Sequence, residues 1–304
     1  MGRAFRLVVC ALVLWPSAAL AQRFDDFGVR AQGMGGAFVA VADDASATWW
    51  NPAGLATGLT FVDLQASVLK GGDGSIALAF PSLGLSYYRL RISQIQPSST
   101  TTATTPSDRQ DNGAVGSAPP SADFVLSEFG ATFGQSITQH FVVGTTVKVV
   151  NALNDTKADL DVGALVAFGF VRVGVTVRDV LEPTFGVAPD AFELTRRARA
   201  GAAFIASAHG WVDRAVFAVD ADLTTSPIAG RDERELAGGA ELWMRGRRIG
   251  VRGGGGTNTA AGGGSFGAFG LTLVPFPRLN VDGAVQRGSD STRDRWSLGV
   301  RLTF

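Results

Sequence analysis

The chain has 304 residues, equal numbers of basic and acidic side chains, 46% hydrophobic residues and 39 glycines. This composition is too apolar for a disordered chain, and the zero net charge argues against a nucleic-acid partner. Low charge, abundant glycine and many short apolar segments favour one continuous β architecture.

The first 21 residues have the features of a cleaved secretory signal peptide. Arg3 and Arg6 form a basic start, residues 7–15 are apolar, and Ala19-Leu20-Ala21 places small residues at the spacing of a cleavage site. The single cysteine, Cys10, lies within this peptide. We therefore expect a mature chain without disulfides, thiol nucleophiles or cysteine-ligated metals.

Alternation of apolar and polar residues predicts β-strands through most of the chain after residue 58. Residues 171–178 alternate without an error, and about fourteen segments of this kind lie between residues 59 and 304. Tight connections such as Pro81-Ser82 alternate with longer ones such as 182–195. This pattern predicts an all-β fold, a transmembrane antiparallel β-barrel of about 14 strands in the outer membrane of a Gram-negative bacterium, surrounded by outer-membrane lipid.

The longest connection, 94–123, is rich in serine, threonine and proline. Such a composition does not form a packed core, so we expect a disordered-like external loop. An interdomain linker is the alternative, but strands of one type continue on both sides.

The last predicted strand carries apolar residues at every second position and ends the chain with an aromatic residue. These residues are Trp296, Leu298, Val300, Leu302 and Phe304. We interpret them as an assembly signal, with the barrel assembly machinery as a partner. The alternative is an ordinary closing strand that ends in phenylalanine.

Residues 22–58 differ from the rest because they lack alternation. Their glycines permit close turns, Asp43 or Asp44 can cap a short helix from about Ala45 to Trp50, and Pro52 ends that helix.

The sequence of this segment is also specific. Residues 30–44 read Arg-Ala-Gln-Gly-Met-Gly-Gly-Ala-Phe-Val-Ala-Val-Ala-Asp-Asp, and residues 50–54 read Trp-Asn-Pro-Ala-Gly. This segment resembles the N-terminal hatch of the outer-membrane long-chain fatty acid transporter (FadL-type) superfamily, which includes the PorV/PorQ-type proteins. The resemblance implies that residues 22–58 plug a fourteen-stranded barrel formed by residues 59–304. The implied hatch motif consists of Gly33, Met34, Gly35, Gly36, Asp43, Asp44, Asn51, Pro52 and Ala53.

Charged residues on the polar faces of the strands are expected in the lumen. They are Glu128, Lys148, Asp161, Arg172, Arg178, Asp220, Asp222, Glu241, Arg252, Asp282 and Arg301. They either form ion pairs packed on the hatch or solvate the inner wall.

In the third strand, the apolar positions shift from Leu83, Leu85 and Tyr87 to Tyr88, Leu90 and Ile92. A one-residue shift in a period of two predicts a β-bulge at Tyr87-Tyr88. The resemblance implies a kink there that opens the wall sideways toward the membrane. Alternatively, both tyrosines anchor the barrel at the membrane interface.

The resemblance favours passive uptake of a hydrophobic small-molecule ligand, a fatty acid or similar. The alternative is a PorV-like platform that does not transport and binds envelope secretion or surface-attachment partners. No enzyme, cofactor or metal site is predicted. Residues 263–267 fit a nucleophile elbow but precede a strand, and His140 and His209 lack metal-ligand neighbours.

Overall fold

The computed structural model describes residues 27–57, 62–93, 123–187, 191–207, 210–228, 231–260, 263–289 and 293–304. The predicted signal peptide, residues 22–26 and 58 of the predicted hatch, residues 94–122 of the predicted external loop, and His209 lie outside the described residues.

Fourteen antiparallel strands close into a barrel in which the first strand pairs with the last. The strands of the barrel wall are β1 (Asp63–Leu69), β2 (Gly74–Phe80), β3 (Leu83–Ser93), β4 (Asp123–Ser136), β5 (Phe141–Ala152), β6 (Asp155–Phe168), β7 (Val171–Arg178), β10 (Arg197–Ser207), β11 (Val212–Asp222), β14 (Glu235–Met244), β15 (Ile249–Asn258), β16 (Ser265–Phe276), β17 (Leu279–Gly288) and β18 (Arg295–Thr303). The prediction of an all-β, fourteen-stranded barrel is confirmed.

Two small hairpins project from the long connections of the barrel. One is formed by β8 (Thr184–Phe185) and β9 (Phe192–Glu193), and the other by β12 (Ser226–Ile228) and β13 (Arg231–Glu233).

The wall separates two chemical environments because successive side chains point to opposite faces of a strand. The outward face carries exposed large apolar side chains around the barrel. Examples are Val68, Ile76, Leu85, Phe129, Val149, Val173, Phe217, Phe269, Val285 and Leu298. This apolar belt on a closed barrel is the surface of an outer-membrane protein in contact with lipid.

The connections define the orientation of the barrel. Those at one end contain two to four residues, as at 81–82, 137–140 and 277–278, whereas those at the other end include 179–196 and 223–234. Tight turns face the periplasm in barrels of this class, so the longer connections face the cell exterior.

None of the helices in the described part of the chain is long and apolar enough to cross a membrane.

The predicted bulge at Tyr87-Tyr88 is wrong. Strand β3 pairs in continuous register with β2 from Leu83 to Arg89 and with β4 from Leu83 to Ser93. Tyr87 is 41% exposed and points outward, while Tyr88 is 2% exposed and points inward. The apolar residues change from the outward to the inward face along β3 because the extracellular half of the lumen is itself apolar there. Tyr88, Leu90 and Ile92 therefore face the lumen. The unbroken ladder removes the basis for a lateral opening at this strand.

Residues 27–57, called the lumenal segment below, form helix α1 (Val29–Gly33), helix α2 (Ala47–Trp50) and a 3₁₀ helix (Pro52–Ala56). Helix α1 contacts β15 to β18, and the 3₁₀ helix contacts β3 to β6. These two groups of strands lie across the barrel from one another. The lumenal segment therefore lies inside the barrel and spans it.

Candidate functional site

Glycines on the wall allow the lumenal segment to touch the strands directly. A Cβ atom on Gly254 would lie 2.3 Å from the carbonyl carbon of Met34, and one on Gly144 would lie 2.3 Å from that of Pro52. Both distances are too short for any side chain. These inward glycines bring the backbone of the segment against the backbone of the strands.

The glycines of the predicted motif form the other half of this contact. Gly35 and Gly36 have φ angles of 65° and 79°, a conformation that glycine adopts with little strain. A Cβ on Gly35 would lie 2.2 Å from the amide nitrogen of Gly255, and one on Gly33 would lie 3.0 Å from Cα of Gly270. The Gly33-to-Gly36 run thus lies against β15 and β16, with Met34 fully buried.

The Asn-Pro-Ala part of the motif lies on the opposite wall. Asn51 donates from Nδ2 to the carbonyl oxygens of Val39, at 3.0 Å, and Ala164, at 3.2 Å. Its Oδ1 accepts a hydrogen bond from the amide of Ala53, at the start of the 3₁₀ helix that contains Pro52. Asn51 therefore joins two parts of the lumenal segment to strand β6.

Arg30 is the centre of a buried charge cluster that links α1 to the wall. Its guanidinium donates to both carboxylate oxygens of Glu241 on β14, at 2.7 and 2.8 Å, and to Asp43 and Asp44 within the segment. Arg30 begins the motif read from the sequence, but its role could not be predicted, because its partner Glu241 is 211 residues away. Breaking a buried pair of this kind costs about 3–5 kcal/mol.

Asp43 and Asp44 take different roles. Asp44 accepts a hydrogen bond from the backbone amide of Ser46 at 3.0 Å, just before helix α2, so it orders the start of that helix. Asp43 is not a cap, since its carboxylate pairs with Arg30 at 2.5 Å and with Arg214 on β11 at 2.9 Å. Burial raises the pKa of Asp43, but Arg30, Arg214 and Arg172 outweigh burial and hold the pKa well below its ordinary value.

Asp220 on β11 holds the middle of the segment. Its Oδ2 accepts hydrogen bonds from the amides of Phe38, at 2.7 Å, and Val39, at 2.8 Å. In the sheet, Asp220 pairs with Gly201 of β10, and a Cβ on Gly201 would lie 2.1 Å from Oδ1 of Asp220. A wall carboxylate thus satisfies two backbone donors that have no secondary-structure partner.

The predicted lumen charges are on the lumen side of the wall and form ion pairs. A second cluster surrounds Lys148, whose Nζ lies 2.7 Å from Asp179, 2.8 Å from Asp161 and 3.1 Å from Asp159. The three carboxylates are close enough together to hold a metal ion, but the ammonium group occupies the space between them. Lys148 is therefore the cation of this cluster.

An apolar column occupies the extracellular half of the lumen near β3, β4 and β5. It consists of Phe27, Trp49, Tyr88, Leu90, Phe124, Leu126, Phe185 and Phe192. At the top, the β8–β9 hairpin contributes Phe185 and Phe192, and the ring of Phe192 lies 5.2 Å from that of Phe124. At the bottom, Tyr88 lies 4.8 Å from Phe27 and 4.7 Å from Trp49. The column thus runs from an external hairpin to the lumenal segment.

A small, partly open cleft lies beside the base of this column. Trp49, Trp50 and Val39 of the lumenal segment form one side, and Arg178 and Arg199 of the wall form part of the other. The guanidinium of Arg178 lies 3.5 Å from the centre of the Trp49 ring. The cleft is an amphipathic site in which aromatic faces meet cations.

The terminal set of apolar residues lies on the lipid face of β18. Trp296, Leu298, Val300 and Phe304 are 43–60% exposed, and Leu302 is partly exposed. The amide of Phe304 donates to the carbonyl oxygen of Val62, which joins the chain end to the start of β1. The role of these residues as an assembly signal stays a prediction.

Sequence reasoning also missed Phe185 and Phe192. They lie in strands of two residues, too short to show periodicity. The wall glycines did leave a signal, since Gly144, Gly163 and Gly254 lie at lumen-facing positions of strands that are otherwise regular.

A model of the family described as F plasmid transfer operon, TraF, protein matches residues 150–222, about a quarter of the chain. No curated protein matches the sequence.

Solved structures match nearly the whole chain. The CymD monoaromatic hydrocarbon channel has a TM-score of 0.64 at 13% identity and covers 93% of this chain and 99% of its own. The toluene transporter TbuX of Ralstonia pickettii has a TM-score of 0.61 at 11% identity, with coverage of 93% and 99%. A FadL homologue of Pseudomonas aeruginosa has a TM-score of 0.58 at 12% identity, with coverage of 94% and 100%.

The first two of these neighbours are named as a channel and a transporter, and the third as a FadL homologue. Identities of 11–13% show the fold alone. The chain therefore has the fold of the FadL-type outer-membrane transporters, as the motif in residues 30–54 predicts.

Proposed function

We propose that this protein is a passive outer-membrane conduit for a hydrophobic small molecule, such as a fatty acid or an aromatic hydrocarbon. The observation that carries the proposal is the apolar column, which begins at an external hairpin and ends on the lumenal segment. The fold of hydrocarbon and fatty-acid transport proteins supports it. An apolar ligand gains free energy by leaving water for such a surface.

In this mechanism the ligand enters from outside past the β8–β9 hairpin and packs against the ring of Phe192. It then moves along Leu126 and Leu90 to Tyr88, where the lumenal segment ends the path. Residues 22–58 act as the hatch, and the ligand proceeds when they move. The charge clusters around Arg30 and Lys148 make the rest of the lumen unfavourable for an apolar ligand, so the ligand follows the apolar column.

The column can be tested at its top. Replacing Phe192 with Ser removes an aromatic ring from the column, whereas Val187→Ser changes a residue of the same connection that is 84% exposed. We expect Phe192→Ser to lower uptake of a labelled long-chain fatty acid or toluene by cells several-fold, and Val187→Ser to leave uptake unchanged. Equal uptake by both variants, at equal levels of assembled barrel, would contradict the proposed route.

A second function is a platform that does not transport and binds envelope secretion or surface-attachment partners. The close anchoring of the lumenal segment, through Arg30, Asp220 and Asn51, favours it. Deletion of the gene distinguishes the two functions. A platform predicts loss of secreted or surface-attached proteins with normal uptake of hydrophobic compounds, and a conduit predicts the reverse.

A further inference from the structure

Four exposed arginines form a patch at the periplasmic end of the barrel. Arg245, Arg247 and Arg248 lie in the turn between β14 and β15, and Arg278 lies in the turn between β16 and β17. The two turns are adjacent because β15 pairs with β16, and the amide of Val274 donates to the carbonyl oxygen of Arg248 at 2.9 Å. We call these four residues the periplasmic arginine patch.

The arginines of this patch are not used by the barrel itself. No ion pair joins any of them to an acidic side chain in the described part of the chain, in contrast with the lumen arginines, which are paired with carboxylates. The carboxylate of Asp213, at the start of β11, accepts a hydrogen bond from the backbone amide of Arg247 at 3.0 Å. Four exposed arginines therefore lie at the periplasmic end without an ion-pair partner among the described residues.

The positive charge is confined to one side of the barrel. The other periplasmic turns, within their described residues, contain neither lysine nor arginine; they are 81–82, 137–140, 169–170 and 210–211. A uniform requirement for solubility would distribute charge around the rim. This one-sided patch instead indicates a specific anionic partner.

The backbone supports the same conclusion. Arg245, Arg247 and Arg278 have φ angles of 56°, 60° and 73°, in the left-handed region. Glycine or asparagine adopts this conformation more readily, and Gly169 occupies it in another periplasmic turn; Ser82 is the one other non-glycine residue with a positive φ in the described periplasmic turns. Arginine stands at positions where the turn alone would favour glycine, so the guanidinium groups have a role that the turn does not provide.

The neighbourhood of the patch is that of a membrane interface. Exposed apolar residues lie beside it, with Trp211 81% exposed in the adjacent β10–β11 turn and Phe276 67% exposed at the end of β16. Leu242 and Leu273 continue the apolar belt directly above the turns. Because the apolar belt ends at these turns, we infer that the guanidinium groups lie level with the phosphates of the periplasmic leaflet, a depth that tryptophan also favours.

From these observations we propose that the periplasmic arginine patch binds the phosphate groups of anionic phospholipids in the periplasmic leaflet of the outer membrane. Arginine suits this partner because its planar fork binds phosphate with two hydrogen bonds. The site orients the barrel on the β14–β17 side, away from the apolar column at β3 to β5, and does not depend on the proposed function.

The full mature chain in detergent provides the test, by native mass spectrometry with added phosphatidylglycerol or phosphatidylcholine. The variant R245Q/R247Q/R248Q/R278Q removes the patch without a change in turn backbone, and R247Q/R248Q removes half of it. The control R196Q/R234Q removes two exposed arginines from extracellular connections.

We expect wild type and R196Q/R234Q to retain phosphatidylglycerol in preference to phosphatidylcholine by at least about tenfold, given the contribution of each basic residue near anionic lipid. The fourfold variant should lose this preference, the R247Q/R248Q variant should have an intermediate one, and salt should weaken it.

Three results would overturn the proposal. The first is equal retention of both lipids by wild type. The second is complete displacement of phosphatidylglycerol by inorganic phosphate at equal concentration, which would show that the patch binds phosphate anions in general. The third is normal lipid preference in the fourfold variant together with loss of an acidic periplasmic protein that wild type binds, which would identify a protein surface.

Discussion

Glycine residues decide how closely the lumenal segment lies against the wall of the barrel. On β15, Gly254 faces the lumen and meets the backbone of Met34, whereas its neighbour Gly253 faces outward with nothing within 4 Å of a Cβ. The same residue type on one strand thus has two consequences, set only by the face on which it lies.

This difference provides a matched test. Gly254→Ala places a methyl group where the Met34 carbonyl carbon now lies, so the lumenal segment must move away from β15. We expect a higher single-channel conductance in planar bilayers for Gly254→Ala, and wild-type conductance for Gly253→Ala. Identical conductance of the two variants would place the tight contact outside the path that controls permeation.

The pKa of Asp43 predicts how the docking of the segment depends on pH. In the folded protein the pKa of Asp43 is lower than its ordinary value of about 4. The ionised Asp43 side chain therefore contributes its full stabilisation at any pH above that ordinary value. Its contribution decreases as the pH falls through the lowered folded pKa. We expect Asp43→Asn to reduce the free energy of unfolding by roughly 1.5–3 kcal/mol, the worth of a hydrogen bond to a charged group, at any pH from 5 to 8.

Urea unfolding in liposomes at several pH values measures this. The gap between wild type and Asp43→Asn should be constant from pH 8 to 5 and shrink below about pH 4. Asp155→Asn, in an exposed pair with Lys157, should show almost no gap at any pH. A difference in unfolding free energy that grows toward low pH would contradict a lowered pKa of Asp43 in the folded protein.

Among the elements, the strands of the wall follow from the sequence and the hairpins do not. Strands such as β7 and β18 have period-two alternation over 8 and 9 residues, which defines both their existence and their faces. The β8–β9 hairpin has only two residues per strand, too few for a periodic pattern. The parity shift at Tyr87-Tyr88 predicts a bulge only if the lumen face is polar, and at β3 the lumen face is apolar.

The last element carries a test of assembly. Removing Phe304 takes away an aromatic side chain and the hydrogen bond from its amide to Val62, so we expect slower assembly and more periplasmic proteolysis. Phe276→Ala removes a similar ring, 67% exposed at the same end of the barrel, and should assemble normally. The shift of unheated protein in gel electrophoresis measures folded barrel. Equal loss in both variants would assign the effect to lipid anchoring and not to the terminal residue.

For the whole molecule, the sequence predicts the architecture but not how its parts meet. The barrel follows from alternation and turn lengths, and the motif in residues 30–54 resembles that of a lumenal plug. The contacts of Arg30 with Glu241 and of Asp220 with Phe38 join residues 211 and 182 positions apart. A single sequence contains no signal for such pairs, since each charge has several possible partners in the lumen.

The central claim is that a hydrophobic compound crosses this barrel only when the lumenal segment moves. The segment can be locked, because a Cβ on Gly299 would lie 2.8 Å from Cγ2 of Val29, close enough for a disulfide in Val29→Cys/Gly299→Cys. The predicted mature chain has no other cysteine. We expect uptake of labelled fatty acid or toluene to stop in oxidised cells and to recover on reduction, with the Val29→Cys single variant unaffected. Uptake by the oxidised, fully cross-linked protein at the wild-type rate would contradict the account.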